Sequence, residues 1–326
     1  MPIPSIVVVG SLNMDFVVSV KRLPRPGETV LGSDFIMVPG GKGANQACAA
    51  GKLASSSAVV RMIGRVGKDL FADHLKASLA AAGVDVSGVH AAKSQPTGCA
   101  LISVDEDGQN SIVVASGANF ELAAADVEAM RKSFHGASIA LFQLENPLPT
   151  IAAALRLARE EGVTTILDPA PAQVLAADIL GNVDILTPNE NEALKLLGRP
   201  EVAFGDGFSM RHGIQLSDAP DIAASLLALG PRTVILKLGE EGCYVVQPDW
   251  EEHVEGFVVD AVDTTAAGDT FNAALAVALA QGQSLSQAAV FANAAAAISV
   301  TRPGAQPSAP TRAEVDAFLS QRKGTF

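Results

Sequence analysis

The sequence predicts an α/β fold: a doubly wound, mostly parallel sheet covered by helices on both faces (three-layer αβα), with a small β-sheet standing off it as a lid. Three observations carry that expectation. Short β-rich runs bounded by Gly, Pro and Asn alternate with helical patterns over most of the chain. Several of these runs are uniformly apolar, as strands covered on both faces are. Two early regions break the rhythm and read instead as paired extended strands.

In chain order, Ser5–Val9 is the first strand run. Residues 15–38 then read as extended strands around a turn at Pro26-Gly27. A glycine-rich stretch, Gly40 to Asn45, leads into a helical run over 46–53. A strand at 58–63 follows, and residues 97–114 form the second paired region, turning at Asp107-Gly108. Strands are expected at 138–142, 164–167, 184–186, 233–237 and 244–246. Between the first two of these, residues 150–161 place Ile151, Ala154, Leu155 and Ala158 on one helical face, and Gly162 closes the helix. Residues 199–220 lack clean periodicity and read as an irregular surface insertion. Near the end, Phe271, Ala274, Leu275, Ala278 and Leu279 recur at helical spacing. With no internal repeat and no low-complexity linker, residues 1–326 are expected to form a single domain, the lid built from 15–38 and 97–114.

Composition excludes several function classes. Apolar residues make up 48% of 326, enough for a sizeable core, while 35 acidic against 23 basic residues give a net charge of −12. Such a surface disfavours nucleic acid and anionic membranes as partners. The one Trp and one Tyr offer no base-stacking platform. Cys48, Cys99 and Cys243 lie far apart, as thiols of a reducing, cytoplasmic compartment do. Neither a signal peptide nor a membrane span is expected. The five histidines show no zinc spacing, and neither a Gly-x-Ser-x-Gly elbow nor a P-loop occurs.

Polar residues recur just past the strand runs: Asn13 and Asp15, Gln143 and Glu145, Asp168, Asn189, and Lys237. Open α/β sheets bind ligands at those carboxyl ends, although loops are polar in any case. Three stretches are more specific. In Gly40-Gly41-Lys42-Gly43-Ala44-Asn45, glycines permit close main-chain approach, and the following helix start, Lys42 and Asn45 supply donors. The alternative is an ordinary glycine-rich turn capping a helix. In Asp263-Thr264-Thr265-Ala266-Ala267-Gly268-Asp269, small residues leave the amides of Ala266, Ala267 and Gly268 open to an anion at a helix start. Asp269 is then either a helix cap or a base beside an anion pocket, an arrangement suited to phosphoryl transfer. In Thr187-Pro188-Asn189-Glu190-Asn191-Glu192, Asn189 and Glu192 share a face, either to order water around Mg²⁺ or as a cap.

Together, and in this order, these motifs resemble the PfkB carbohydrate kinase family over nearly the full chain, from Val9–Asp15 to Arg302–Ser308. The resemblance implies an enzyme that phosphorylates a sugar with ATP, ribose at O5 foremost, with 2-deoxyribose, fructose or a nucleoside as alternatives. A non-catalytic sugar-binding protein on the same fold is the reading from another class, and the intact Asp269 and anion loop argue against it. By resemblance, Asn13, Asp15, Gly41, Lys42, Gly43, Ala44, Asn45, Glu145 and Asp269 bind the sugar, with Asp269 as catalytic base. Asn189, Lys237, Leu238, Gly239, Glu240, Glu241, Gly242 and Gly268 line the nucleotide site, with Asn293 near the adenine. Glu192 acts on the Mg²⁺ network. Oxygens of Asp263, Thr265, Ser299, Arg302, Gly304 and Ser308 hold a monovalent cation, usually K⁺. The lid implies a homodimer.

Overall fold

The computed structural model describes residues 3–199 and 214–322. In chain order the elements are β1 (Ser5–Val9), β2 (Asn13–Val20), β3 (Gly32–Gly40), α1 (Lys42–Ala54), β4 (Val59–Val66), α2 (Leu70–Ala81), β5 (Val84–Ala91), β6 (Gly98–Val104) and β7 (Asn110–Ala115). They continue as α3 (Ala124–Ala129), α4 (Arg131–Phe134), β8 (Ile139–Phe142), α5 (Leu148–Glu160), β9 (Thr164–Leu167), α6 (Ala177–Leu180), β10 (Ile185–Leu186) and α7 (Glu190–Leu196). The last group is α8 (Ala219–Leu227), β11 (Thr233–Lys237), β12 (Cys243–Gln247), β13 (Trp250–Val254), α9 (Ala267–Ala280), α10 (Leu285–Ser299) and α11 (Arg312–Arg322).

The main sheet runs β13-β12-β11-β10-β9-β8-β1-β4-β5. It is parallel from β11 through to β5, and β12 and β13 extend it as antiparallel edge strands. Alternation along each strand divides the core into two layers, because successive side chains point to opposite faces. Ile6 and Val8 of β1, Leu141 of β8 and Ile235 of β11 pack with α1, α2, α9 and α10. Val7, Val9, Phe142 and Leu236 pack against the other layer, which includes α5 and α8. All four apolar residues of β1 are fully buried, which explains the uninterrupted apolar run in the sequence.

The chain leaves β1 for β4 on one side of the sheet and later for β8 on the other. The carboxyl ends of β1 and β8 therefore flank the topological switch point, where such sheets form a crevice. The second sheet, in order β3-β2-β6-β7, is the lid. Its turns fall where glycine permits positive φ, at Gly27 (80°) and Gly108 (77°). It leaves Phe35, Ile36, Met37, Leu101, Ile112, Val113 and Val114 exposed.

Some boundaries differ from the sequence expectation. Helix α1 starts at Lys42 rather than near Gln46, so Lys42 to Asn45 form its first turn instead of a loop before it. The small residues there, read as loop chemistry, serve close packing: a Cβ on Gly43 would lie 2.5 Å from the Ser11 amide nitrogen. Strands β5 and β13 were not anticipated, since Val84–Ala91 carries Asp85, Ser87 and His90, and Trp250–Val254 carries Glu251 and Glu252. The irregular insertion read at 199–220 falls mostly on residues 200–213, outside the described residues. At its end, Ala219 and Pro220 already belong to α8.

Candidate active site

Three elements bring their ends together at the crevice: the start of α1, the start of α9 and the carboxyl ends of the central strands. Asp269, in the first turn of α9, is 5% exposed. Its Oδ2 accepts from Asn45 Nδ2 (3.0 Å) and its Oδ1 from Gln46 Nε2 (3.1 Å). Burial, and to a lesser degree the Asp168 carboxylate, push its pKa up to about 6, against the pull of the Lys42 ammonium and the two amides. The group is thus held at a value suited to taking a proton near neutral pH.

Further carboxylates and amides gather near it. Asp15, on β2, keeps Oδ1 buried without a hydrogen-bond partner, and Asn45 Oδ1 is in the same state. Buried polar atoms seldom stay unpaired, so both have capacity to bond a polar ligand. Burial first, then Glu145 and Asp269, raise the Asp15 pKa to about 7. Gly40 makes the room, for a Cβ there would sit 2.0 Å from Asp15 Oδ2. Asn13 is held by Asn119, whose Nδ2 donates to Asn13 Oδ1 (2.7 Å). Glu145 accepts from Ser11 Oγ and from the Lys42 amide (3.0 Å), which ties β8 to α1. Gly41, at φ 87°, lets the chain turn against β2. The Lys42 side chain is kept charged: burial opposes its charge, but Asp269, Asp168 and Glu145 outweigh it.

At the start of α9, Ala266 takes left-handed φ 58° as the N-cap. The amides of Ala266 and Gly268 donate to nothing among the described residues, which leaves them open to an acceptor at the positive end of the helix. The Ala267 amide turns back to Thr264 O at 3.3 Å, so it is less available than the sequence suggested. Lys237 Nζ lies 3.2 Å from where a Gly268 Cβ would stand, and it is paired with Asp168 at 3.0 Å.

The nucleotide-side residues expected from sequence also converge. Asn189 and Lys237 face each other as a parallel bridge, and Lys237 N donates to Pro188 O (2.8 Å). Leu238 to Gly242 form the tight β11–β12 turn, with Gly239 at φ 58° and Gly242 at 90°. Glu240 and Glu241 occupy its tip in a 3₁₀ turn. Asn293 braces this region, donating to the carbonyls of Val254 and Glu255 at 3.1 Å each. A cavity of about 410 Å³ opens there, lined by residues 252–257, Val290 and Arg322.

Asn189 and Glu192 form a capping box, with Glu192 N donating to Asn189 Oδ1 (2.8 Å) and Asn189 N to Glu192 Oε2 (2.7 Å). The capping alternative is therefore realised. Elsewhere, Asp263 joins two segments by accepting from Thr265 N (2.9 Å) and Gly304 N (2.7 Å). The hydroxyls of Ser299 and Ser308 donate back to the Ala296 and Ala305 carbonyls. Sequence reasoning did not assign Ser11, Gln46, Asn119, Gln143 or Asp168 to the site. Gln143 and Asp168 had one signal, their place at strand ends; Gln46 and Asn119, inside a helix and a 3₁₀ turn, had none.

Residues 4–312 match the family described as pfkB family carbohydrate kinase. The chain is 40% identical over 315 residues to the ribokinase of Haemophilus influenzae, covering 97% of this chain and 98% of that one. Its fold superposes on the ribokinase of Thermotoga maritima with a TM-score of 0.84 at 38% identity, covering 98% and 100% of the two chains. The Arabidopsis thaliana ribokinase complexed with ribose and ATP gives 0.84 at 33% identity, covering 98% and 99%.

Proposed function

Because the chain belongs to the pfkB family of carbohydrate kinases, we propose that it transfers the γ-phosphate of ATP to O5 of ribose. The observation that carries this reading is a buried carboxylate, Asp269, one residue from the unpaired Gly268 amide at the start of α9. That juxtaposition sets a proton acceptor beside a cradle for phosphoryl oxygens.

In the mechanism, Asp269 accepts the proton of the attacking sugar hydroxyl through the oxygens now held by Asn45 and Gln46. Asp15, Asn13, Asn45 and Glu145, with the main chain of Gly41, Gly43 and Ala44, orient the sugar. Lys42 supplies a positive charge close to the base. The amides of Ala266 and Gly268 bind the transferring phosphoryl group and stabilise its charge. Asn189 and the Lys237–Gly242 turn hold the ATP phosphates, and the cavity beside Asn293 takes the adenine.

The donor set divides on metals. Glu192 has both carboxylate oxygens bonded by Asn189, at 2.7 and 3.0 Å, which does not fit direct Mg²⁺ ligation. It fits a Mg²⁺ carried on ATP phosphates and met through water, since that ion keeps several waters. Among the described residues no group of three His, Cys, Asp or Glu could hold a metal ion. A monovalent cation fits better: the carbonyls of Asp263, Thr265, Arg302, Gly304 and Ser308 accept no hydrogen bond among the described residues. With the Ser299 region they would hold K⁺ and fix the loop before Ala266.

The exposed apolar residues of the lid support a homodimer formed through it. The three free thiols suit a cytoplasmic protein, and among the described residues no helix is long and apolar enough to cross a membrane.

ATP consumption with ribose, 2-deoxyribose, fructose and adenosine at equal concentration, with Mg²⁺ and K⁺ present, tests the function. Ribose should be turned over preferentially, and preference for another substrate would reassign the pocket.

A further inference from the structure

A chain of buried side chains runs behind the base. Gln46, fully buried on α1, donates from Nε2 to Asp269 Oδ1 (3.1 Å) and to Asp168 Oδ2 (3.1 Å). Its Oε1 accepts from Gln143 Nε2 at 2.6 Å. Both amide hydrogens and the carbonyl oxygen are therefore committed, which fixes the orientation of the side chain. Gln143 reaches this position past Gly10, where a Cβ would stand 2.2 Å from Gln143 Oε1. The other oxygen of Asp168 accepts from Lys237 Nζ.

We propose that Gln46 is a positioning residue for phosphoryl transfer: it locks the carboxylate of Asp269 and links it, through Asp168, to Lys237 at the nucleotide end. The inference rests on the reading of Asp269 as base. Two carboxylates this close repel each other unless a donor stands between them. A glutamate at position 46 would add a third carboxylate, and an aliphatic side chain would leave both unshielded. Only an amide can donate to both and still be anchored from behind. The groups facing Asp269 are Lys42 and Asn45 on α1, Asp168 after β9 and Asp15 on β2; Lys237 stands beyond Asp168. Asp168 consequently carries two duties. It anchors Gln46, and it holds the Lys237 ammonium next to Gly268, where phosphoryl oxygens would arrive.

The test is the pH profile of ribose turnover in two variants, with ATP binding and thermal melting measured alongside. Gln46→Met removes a donor that favours the ionised base, so its acidic limb should move to higher pH, with kcat down at least tenfold and the KM for ribose changed far less. Asp168→Asn removes the neighbouring negative charge, so its acidic limb should move to lower pH. A merely structural role would not move the two limbs in opposite directions. Unshifted limbs, or limbs shifted the same way, overturn the inference. If Gln46→Met does not fold, Gln143→Leu, which removes the anchor behind Gln46, takes its place: an acidic limb moved to higher pH with a lowered kcat supports the inference, and an unmoved one overturns it. Asp269→Asn serves as control. Inactive Asp269→Asn with unaffected Gln46→Met refutes the inference only, whereas active Asp269→Asn overturns the base assignment and the inference with it.

Discussion

Burial shifts the carboxyls of Asp269 and Asp15, the proposed base and a proposed sugar ligand, out of the ordinary carboxylate range. Desolvation is the largest influence on each, lifting Asp269 to about 6 and Asp15 to about 7. A raised pKa means that the proton is taken up as pH falls through that value, and a protonated Asp269 cannot act as base. The kcat/KM for ribose should therefore start to fall as pH drops through about 7, where Asp15 takes up its proton, and fall at least about tenfold per unit well below pH 6, where Asp269 is protonated too; a pH–rate profile checks this. Gly40 offers a steric test of the proposed sugar site. Gly40→Ala drives a methyl group against Asp15 Oδ2 and should raise the KM for ribose roughly tenfold or more, while ATP binding measured by calorimetry stays near the wild-type value.

At the scale of elements, the two helix starts do separate jobs. Helix α1 packs its first turn against the chain just past β1, and so brings Asn45 and Gln46 to Asp269 from one side. Helix α9 carries the proposed base, Asp269, and the amides before it. Its N-cap, Ala266, pays a conformational cost, since left-handed backbone disfavours any side chain by about 1–2 kcal/mol. Ala266→Gly relieves that cost, offset in part by the extra chain entropy that glycine loses on folding. The variant should melt slightly higher, by about 0.5–1 kcal/mol in stability, with activity retained; thermal denaturation measures it. The K⁺ reading belongs to this element too. Replacing K⁺ by Na⁺ at fixed ionic strength should lower kcat, because the loop that ends in Ala266 would lose a cation of fitting size.

For the whole molecule, the lid is the part least able to stand alone. Leu101 and Val113 remain more than half exposed, as do Phe35 and Ile36. Among the described residues its outer strands β3 and β7 also have unpaired edges, which invite pairing with another chain. Val113→Glu with Ile112→Glu puts a charge on each face of β7. Sedimentation should show the wild type as a dimer and this variant as a monomer with impaired ribose turnover. A wild-type monomer at micromolar concentration would remove the dimer from the proposal.

The sequence by itself determined the α/β rhythm, the lid and its turns, and the three stretches that meet at the crevice, because periodicity and turn chemistry are local. Val7 and Val8 both read as apolar, yet only the packed sheet decided which helical layer each one meets. The same limit applied to Asn189 and Glu192: that they cap α7 together is decided only in the fold, and the cap is compatible with a water-mediated approach to Mg²⁺. The role of Gln46 was not legible in the sequence, for its meaning lies in contacts with Gln143, Asp168 and Asp269, residues 97, 122 and 223 positions away. Only the tertiary structure brings partners that distant within hydrogen-bond range, because buried polar groups must be satisfied by whatever the fold sets beside them.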